Sequence, residues 1–236
     1  MSVAQLGSAV PGLALPMPLP WPFGRVHVAK ETGPPSDAYL KFKEILLHAR
    51  LDEPSAWHGQ HVIELGSHPG GWTWVLLELG AERIDTVDWA AMDHPSIAAH
   101  PNASRLHHHQ MDAKTFSVTI EAPDNRGHVL VSDAAIPPPL SLALLDDWLS
   151  ARKGPAPRRV MWALKFAFRA DTQQSGDDEQ PSHRERTPLS EKERSLQAVA
   201  MAETLMASHS ERYEWSLRQL YHHGNEAVLL AVRKDE

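Results

Sequence analysis

One stretch of this 236-residue chain leaves few folds open: HVIELGSHPGGWTWVLLELGAERIDTVDW, residues 61–89. An apolar run of strand length, 61–65, leads into a glycine-rich turn of Gly66, Ser67, His68, Pro69, Gly70 and Gly71. The apolar segment 72–79 then predicts about two turns of helix, stopped by Gly80. A second apolar segment, 84–87, closes on Asp88. Together they predict a βαβ unit with a glycine loop behind its first strand and an acid at the tip of its second. Glycines there let backbone come close to a ligand, and an acid about 20 residues on can hold both hydroxyls of a ribose. The unit alone implies an adenosine-type cofactor and little more.

The spacing inside the loop is more informative. A dinucleotide fingerprint would read GxGxxG, whereas this loop reads Gly-x-x-Pro-Gly-Gly-Trp; a phosphate-cradling loop would end in Gly-Lys-Ser or Gly-Lys-Thr, and no lysine is present. A tight turn without a ligand is the bland alternative. The run E-L-G-x-x-P-G-G-W-T resembles the cofactor loop of the FtsJ-type RNA ribose 2′-O-methyltransferases, which use S-adenosylmethionine. That resemblance implies a cofactor site made by Glu64, Gly66, Ser67, His68, Pro69, Gly70, Gly71, Trp72 and Asp88, with Asp112 and Asp133 beside it.

Bulk properties set limits. With no cysteine, the chain has no disulfide framework, thiolate nucleophile or zinc–cysteine site, which suits a reducing cytoplasm, where the protein is expected. The formal net charge of −7 argues mildly against nucleic acid, so any RNA contact has to be local. Arg25, Lys30, Lys43, Arg152, Lys153, Arg158, Arg169, Arg184 and Arg186 are the groups from which a phosphate-contacting rim would come, an ordinary solvated surface being the alternative. Residues 1–24 are apolar but carry Pro11, Pro16, Pro18, Pro20 and Pro22 and no basic group, which fits neither a signal peptide nor a helix. They read as a proline-rich arm, packed or disordered, before a single domain at 25–236. No stretch approaches the ~20 apolar residues of a membrane span.

Ser36 is placed to cap a helix over 37–48. Its Lys41 sits among apolar residues, although a helical lysine usually faces solvent. The segment 106–111 predicts a third strand ending at Asp112; its His107, His108 and His109 alternate faces and cannot all bind one metal. A fourth strand, 128–132, ends at Asp133, where open α/β sheets bind ligands. Pro137, Pro138 and Pro139 predict a turn before an amphipathic helix over 140–149. The fifth strand, 159–166, places Lys165 near its C-terminal end, a costly position unless paired or functional. A polar loop over 170–188, a helix over 189–208 and two strands over 215–221 and 226–232 follow. The last two are joined so tightly that they must be antiparallel, with Glu226 on the turn.

Lys41, Asp133, Lys165 and Glu226 occur in the order of the catalytic Lys-Asp-Lys-Glu tetrad of the FtsJ-type enzymes, and Ser36, Lys41 and Glu44 match the helix that opens that family; its usual arginine is replaced by Asp37. The tail RQLYHHGNEAVLLAVR, residues 218–233, and the LKF of the fifth strand are most similar to the RlmM-type enzymes, which methylate a cytidine ribose of large-subunit ribosomal RNA. Those carry an extra N-terminal RNA-binding domain, whereas only some 24 proline-rich residues precede the matching part here. The resemblance implies an α/β, Rossmann-like class I methyltransferase. Its sheet should have seven mostly parallel strands, the last antiparallel, with helices on both faces. It also implies methyl transfer to RNA, most often ribosomal; transfer to another rRNA or tRNA nucleotide, or a non-catalytic cofactor-binding scaffold, are the alternatives. A lysine serving there acts as a base once it has lost its proton, or steers the hydroxyl while proximity supplies most of the rate.

Overall fold

Period-two alternation in the strands decides how this chain layers. In the computed structural model, which describes residues 28–118, 128–166, 190–220, 222 and 226–234, the strands are β1 (His61–Leu65), β2 (Arg83–Asp88), β3 (Leu106–Gln110), β4 (His128–Ser132), β5 (Arg159–Lys165), β6 (Tyr213–Gln219) and β7 (Glu226–Arg233). The arm at 1–24 and the loop expected over 170–188 lie outside the described residues. The strands form one sheet in the order β3-β2-β1-β4-β5-β7-β6. The neighbours from β3 through β5 pair in parallel, while β7 runs antiparallel to both β5 and β6. This is the seven-stranded, mostly parallel arrangement expected above.

Val62, Ile84, Val129, Val131, Met161, Ala163 and Val228 meet helices α1 (Ala38–Ala49) and α2 (Gly71–Glu78) on one face. Their strand neighbours Ile63, Leu65, Val87, Leu130, Val160, Trp162, Leu164 and Leu229 meet α4 (Pro138–Leu149) and α5 (Glu191–Ser208) on the other, and a short α3 (Pro95–Ala98) lies between β2 and β3. Trp57 and Trp72 are buried on the first side, Trp148 and Trp162 on the second. At roughly 25 cal/mol per Å² and about 150–250 Å² for a buried aromatic side chain, each ring contributes several kcal/mol before its ordering entropy is subtracted.

Three local expectations change. Ser36 does not cap α1: Asp37 holds the N-cap position without a side-chain bond, and Ser36 Oγ instead packs where a Cβ on Gly71 would stand, 2.6 Å away. Pro138 and Pro139 lie inside the first turn of α4 rather than before it, because the first-turn N–H groups they lack have no partner in any helix. The opening of α5 is fixed by a reciprocal capping box between Ser190 and Glu193, which places its start two residues later than the apolar pattern does.

Candidate active site

The first strand ends in a backbone contact that only glycine permits. Gly66 has φ +77° and donates its N–H to Val87 O at 2.8 Å. A Cβ there would lie 2.3 Å from Ala134 Cα. The missing side chain therefore lets the end of β1 press against the residue that follows Asp133. Gly71 does a similar service towards α1, whose Ser36, Ala38 and Tyr39 crowd its missing Cβ. Trp72, the next residue, is buried: its ring stacks on Phe42 at 4.5 Å, and its Nε1 donates to Ala38 O at 3.1 Å. The Gly-Gly-Trp half of the loop is thus the bed on which α1 lies.

That bed positions the first lysine. On the sheet, residues 129, 131 and 133, then 161, 163 and 165, then 226 and 228 share the face that α1 covers, by strand alternation. Asp133, Lys165 and Glu226 fall at the end of that face towards which β4 and β5 run. Lys165 and Glu226 are direct cross-strand partners. Lys41 reaches down from α1 to meet them. Its Nζ donates to Asp133 Oδ1 and, at 2.7 Å, to Glu226 Oε2, and it lies 5.7 Å from the Trp72 ring centroid. Lys165 Nζ stands 3.0 Å from the same Asp133 Oδ1. The four expected residues therefore form one connected cluster of two ammonium and two carboxylate groups.

The two lysines are not equivalent. Lys41 is 2 % exposed and enclosed by both carboxylates, whereas Lys165 is 23 % exposed and reaches the surface beside Asp133. A buried charge needs such partners. Lys41 is the enclosed hub and Lys165 the more accessible of the two.

The expected cofactor residues divide by position. Asp88 closes β2, its carboxylate accepting the His68 N–H and the Ala90 N–H, each at 3.0 Å, and so ties the loop to the tip of β2. Ser67 Oγ is buried without a hydrogen-bond partner among the described residues. Buried polar atoms are seldom left so, and a polar group of a nucleoside cofactor would satisfy it. Asp112 stands beyond β3, its Oδ1 accepting the Lys114 N–H at 2.8 Å. His68 and Pro69 are on the accessible side of the loop. These residues fit an adenosine-type cofactor with its ribose at Asp88. Glu64 behaves differently. It lies under α2, accepting from Thr73 Oγ1 at 2.6 Å, and burial, then the negative charges of Asp133 and Asp88, push its carboxyl up to about 8 despite the Thr73 bond. It stands buried behind the loop and holds a proton more tightly than an ordinary carboxyl. Sequence reasoning gave Thr73 no part.

The histidines of β3 separate as expected: His108 bonds Thr86 and the Ala90 carbonyl, while His109 turns to Asp85 on the opposite face. Of the basic residues weighed for a rim, Lys30 pairs with Asp37, Lys43 with Glu31 and Arg152 with Asp146 and Asp147. Arg158 lies beside the start of β4 and β5, at the end of the sheet away from Lys165. Arg25, Arg169, Arg184 and Arg186 fall outside the described residues. No helix among the described residues is long and apolar enough to cross a membrane.

Comparison with known proteins gives the family and the fold. The FtsJ-like methyltransferase family matches residues 35–169, more than half of the chain. Ribosomal RNA large subunit methyltransferase M of Laribacter hongkongensis is 27% identical over 217 residues, covering 91% of this chain and 52% of the relative. The protein of the same description from Alkalilimnicola ehrlichii is 28% identical over 219 residues, covering 91% and 50%. The chain thus spans about half the length of these curated relatives. Among solved structures, a Lactococcus lactis protein described as a candidate hemolysin superposes with a TM-score of 0.56 at 18% identity, covering 87% of this chain and 90% of that one. Magnesium protoporphyrin IX methyltransferase from Synechocystis, with bound S-adenosylmethionine, superposes with a TM-score of 0.50 at 11% identity, covering 84% and 78%. At such identities these two likenesses establish the fold alone.

Proposed function

The chain belongs to the FtsJ-like methyltransferase family, and from that premise we propose that it moves a methyl group from S-adenosylmethionine to a ribose 2′-hydroxyl of RNA, a cytidine of large-subunit ribosomal RNA being the preferred target. The observation that carries the reading is the convergence of Lys41, Asp133, Lys165 and Glu226 from four elements at one end of the sheet, beside the Asp88 loop. The names of the relatives support an RNA substrate.

When bound, S-adenosylmethionine supplies an electrophilic methyl on a cationic sulfur. The chain's own residues have to hold a weak nucleophile in line with it. Asp133 Oδ1 holds both ammonium groups, so Lys165 cannot swing away without breaking its pair. Glu226 takes up the second direction of Lys41 and fixes the hub. Lys165 then meets the ribose oxygen. As an ammonium it donates a hydrogen bond to that oxygen, and the hydroxyl proton leaves to solvent. As a neutral amine its Nζ would take the proton as the methyl leaves sulfur for the oxygen. Placement of this kind supplies a large share of the barrier reduction.

The test is tritiated methyl transfer to undermethylated ribosomal RNA, followed by alkaline hydrolysis, with tRNA and a metabolite extract as parallel acceptors. Label in alkali-stable dinucleotides from ribosomal RNA is the expected result. Label in mononucleotides would place the methyl on a base and contradict the ribose assignment. Cofactor binding without transfer to any acceptor would favour a scaffold.

A further inference from the structure

We propose that Glu44 is a positioning residue: it tethers the backbone at His222, four residues ahead of Glu226, to α1 and so helps to keep Glu226 on Lys41. Lys41 and Glu44 are three residues apart and occupy the same buried face of α1. Glu44 is 1 % exposed, and its Oε2 accepts the backbone N–H of His222 at 2.8 Å, a contact across 178 positions of sequence. Its other oxygen faces His48 Nε2 at 3.6 Å, one turn further along the helix. His222 lies four residues before Glu226. On either side of it, the N–H of the buried Leu220 donates to Glu226 O at 3.4 Å. The same helix therefore grips the segment twice, through Glu44 at the backbone and through Lys41 at the Glu226 carboxylate.

The two grips differ in kind. A backbone N–H donating to a carboxylate is a charge-assisted bond, roughly twice as strong as a neutral one. It fixes the path of the chain. The Lys41–Glu226 pair fixes a side chain at the first residue of β7, where the ladder with β5 begins. Without Glu44 the fold keeps its apolar core and the pairing of Glu226 with Lys165, but the chain ahead of Glu226 loses its hold on α1, and Lys41 loses one of its two carboxylates for part of the time. The role of Glu44 in the reaction rests on the function proposed above; the tether itself does not.

Two measurements test this, both on the whole protein. Hydrogen exchange at the His222 amide should be about tenfold faster in Glu44→Ala and close to wild type in Glu44→Gln, which keeps an acceptor. Methyl transfer should fall about tenfold in kcat for Glu44→Ala, with cofactor Kd within about twofold, and recover most of the way in Glu44→Gln. Added to Glu226→Gln, the Glu44→Ala change should cost little further rate, because both act through one contact. Should Glu44→Ala fail to fold, Glu44→Asp, whose carboxylate is one methylene short of His222, takes its place with the same expected losses. An unchanged His222 exchange rate, or rate losses that multiply, would overturn the proposal. A wild-type protein inactive on every RNA would overturn the function instead, and the His222 amide would still decide on the tether.

Discussion

Two carboxylates in this molecule gather several basic side chains, and they do so for different ends. Asp133 joins Lys41 and Lys165 where β4 runs out, with Glu226 closing the group. Asp85, in the middle of β2 on the opposite face, receives Arg83 through two nitrogens at 2.7 and 3.1 Å, His61 at 2.5 Å and His109 at 2.7 Å. Burial pushes the Asp85 carboxyl up, but the bonds from His61, Arg83 and His109 outweigh it and hold the group well below the usual carboxylate range. By the number of its basic partners Asp85 is the richer of the two. Yet it lies mid-strand in β2, 1 % exposed, away from the strand ends where Asp133 and Lys165 stand. Position at the ends of the parallel strands, not density of charge pairs, separates a site from a brace.

That contrast can be broken by mutation. The largest effect is expected at the first cluster: Lys165→Ala or Asp133→Ala should lower methyl transfer by about a hundredfold or more, with the melting temperature little changed for the partly exposed Lys165. Asp85→Ala should do the reverse. It leaves three basic groups around a cavity and should cost about 3 kcal/mol of unfolding free energy by denaturant titration, with kcat of the remaining folded protein unaltered. A large loss of kcat in folded Asp85→Ala would erase the distinction.

Smaller effects sharpen it, through pH. His128 neighbours His61 on the Asp85 side, and neither of its ring nitrogens has a hydrogen-bond partner among the described residues. Burial, then the positive charges of His61 and Arg233, push it down to about 3. The unfolded chain therefore binds a proton that the folded one refuses, and stability falls as pH drops below about 6.5, by at most about 1.4 kcal/mol per pH unit for one group. His128→Phe should flatten that acid slope in thermal melts. Glu64, on the site's own face, has the opposite sign. Its carboxyl is raised from 4.5 to about 8, so the folded state binds the extra proton and stability declines as pH rises between those values. Glu64→Gln keeps the acceptor for Thr73 and should gain melting temperature over wild type at pH 8 to 9, with no gain near pH 4.5. Gains of equal size at both pH values would mean that Glu64 is not protonated in the fold.

Much of this was legible in the chain, for reasons that also explain the remainder. β1, β4 and β5 read clearly because strands buried on both faces are continuous apolar runs, and charges at their ends, such as Asp133 and Lys165, stand out against them. Lys41 was different: helical spacing put it near an inner face, but only the resemblance gave it a role. The bond between Glu44 and His222 was illegible, since nothing local to either residue signals a contact across 178 positions. A second charge on the buried face, three residues from Lys41, was the available clue. Trp72 was read with the cofactor loop, yet its ring is spent on Phe42 and on the bed of α1. Sequence adjacency to a glycine loop does not say which way a side chain turns. The same holds for Arg158, a basic residue whose place at the wrong end of β5 follows only from the register.

The central claim, that Lys165 meets the acceptor while the glycine loop and Asp88 hold the cofactor, is tested most directly by pairing two readings on one preparation. Calorimetric affinity for S-adenosylmethionine and the single-turnover rate of methyl transfer to undermethylated ribosomal RNA would be measured for wild type and Lys165→Ala. The expected outcome is affinity within about twofold and a transfer rate lower by about a hundredfold. A variant that transfers methyl at the wild-type rate, or one that loses the cofactor along with the rate, would contradict the claim.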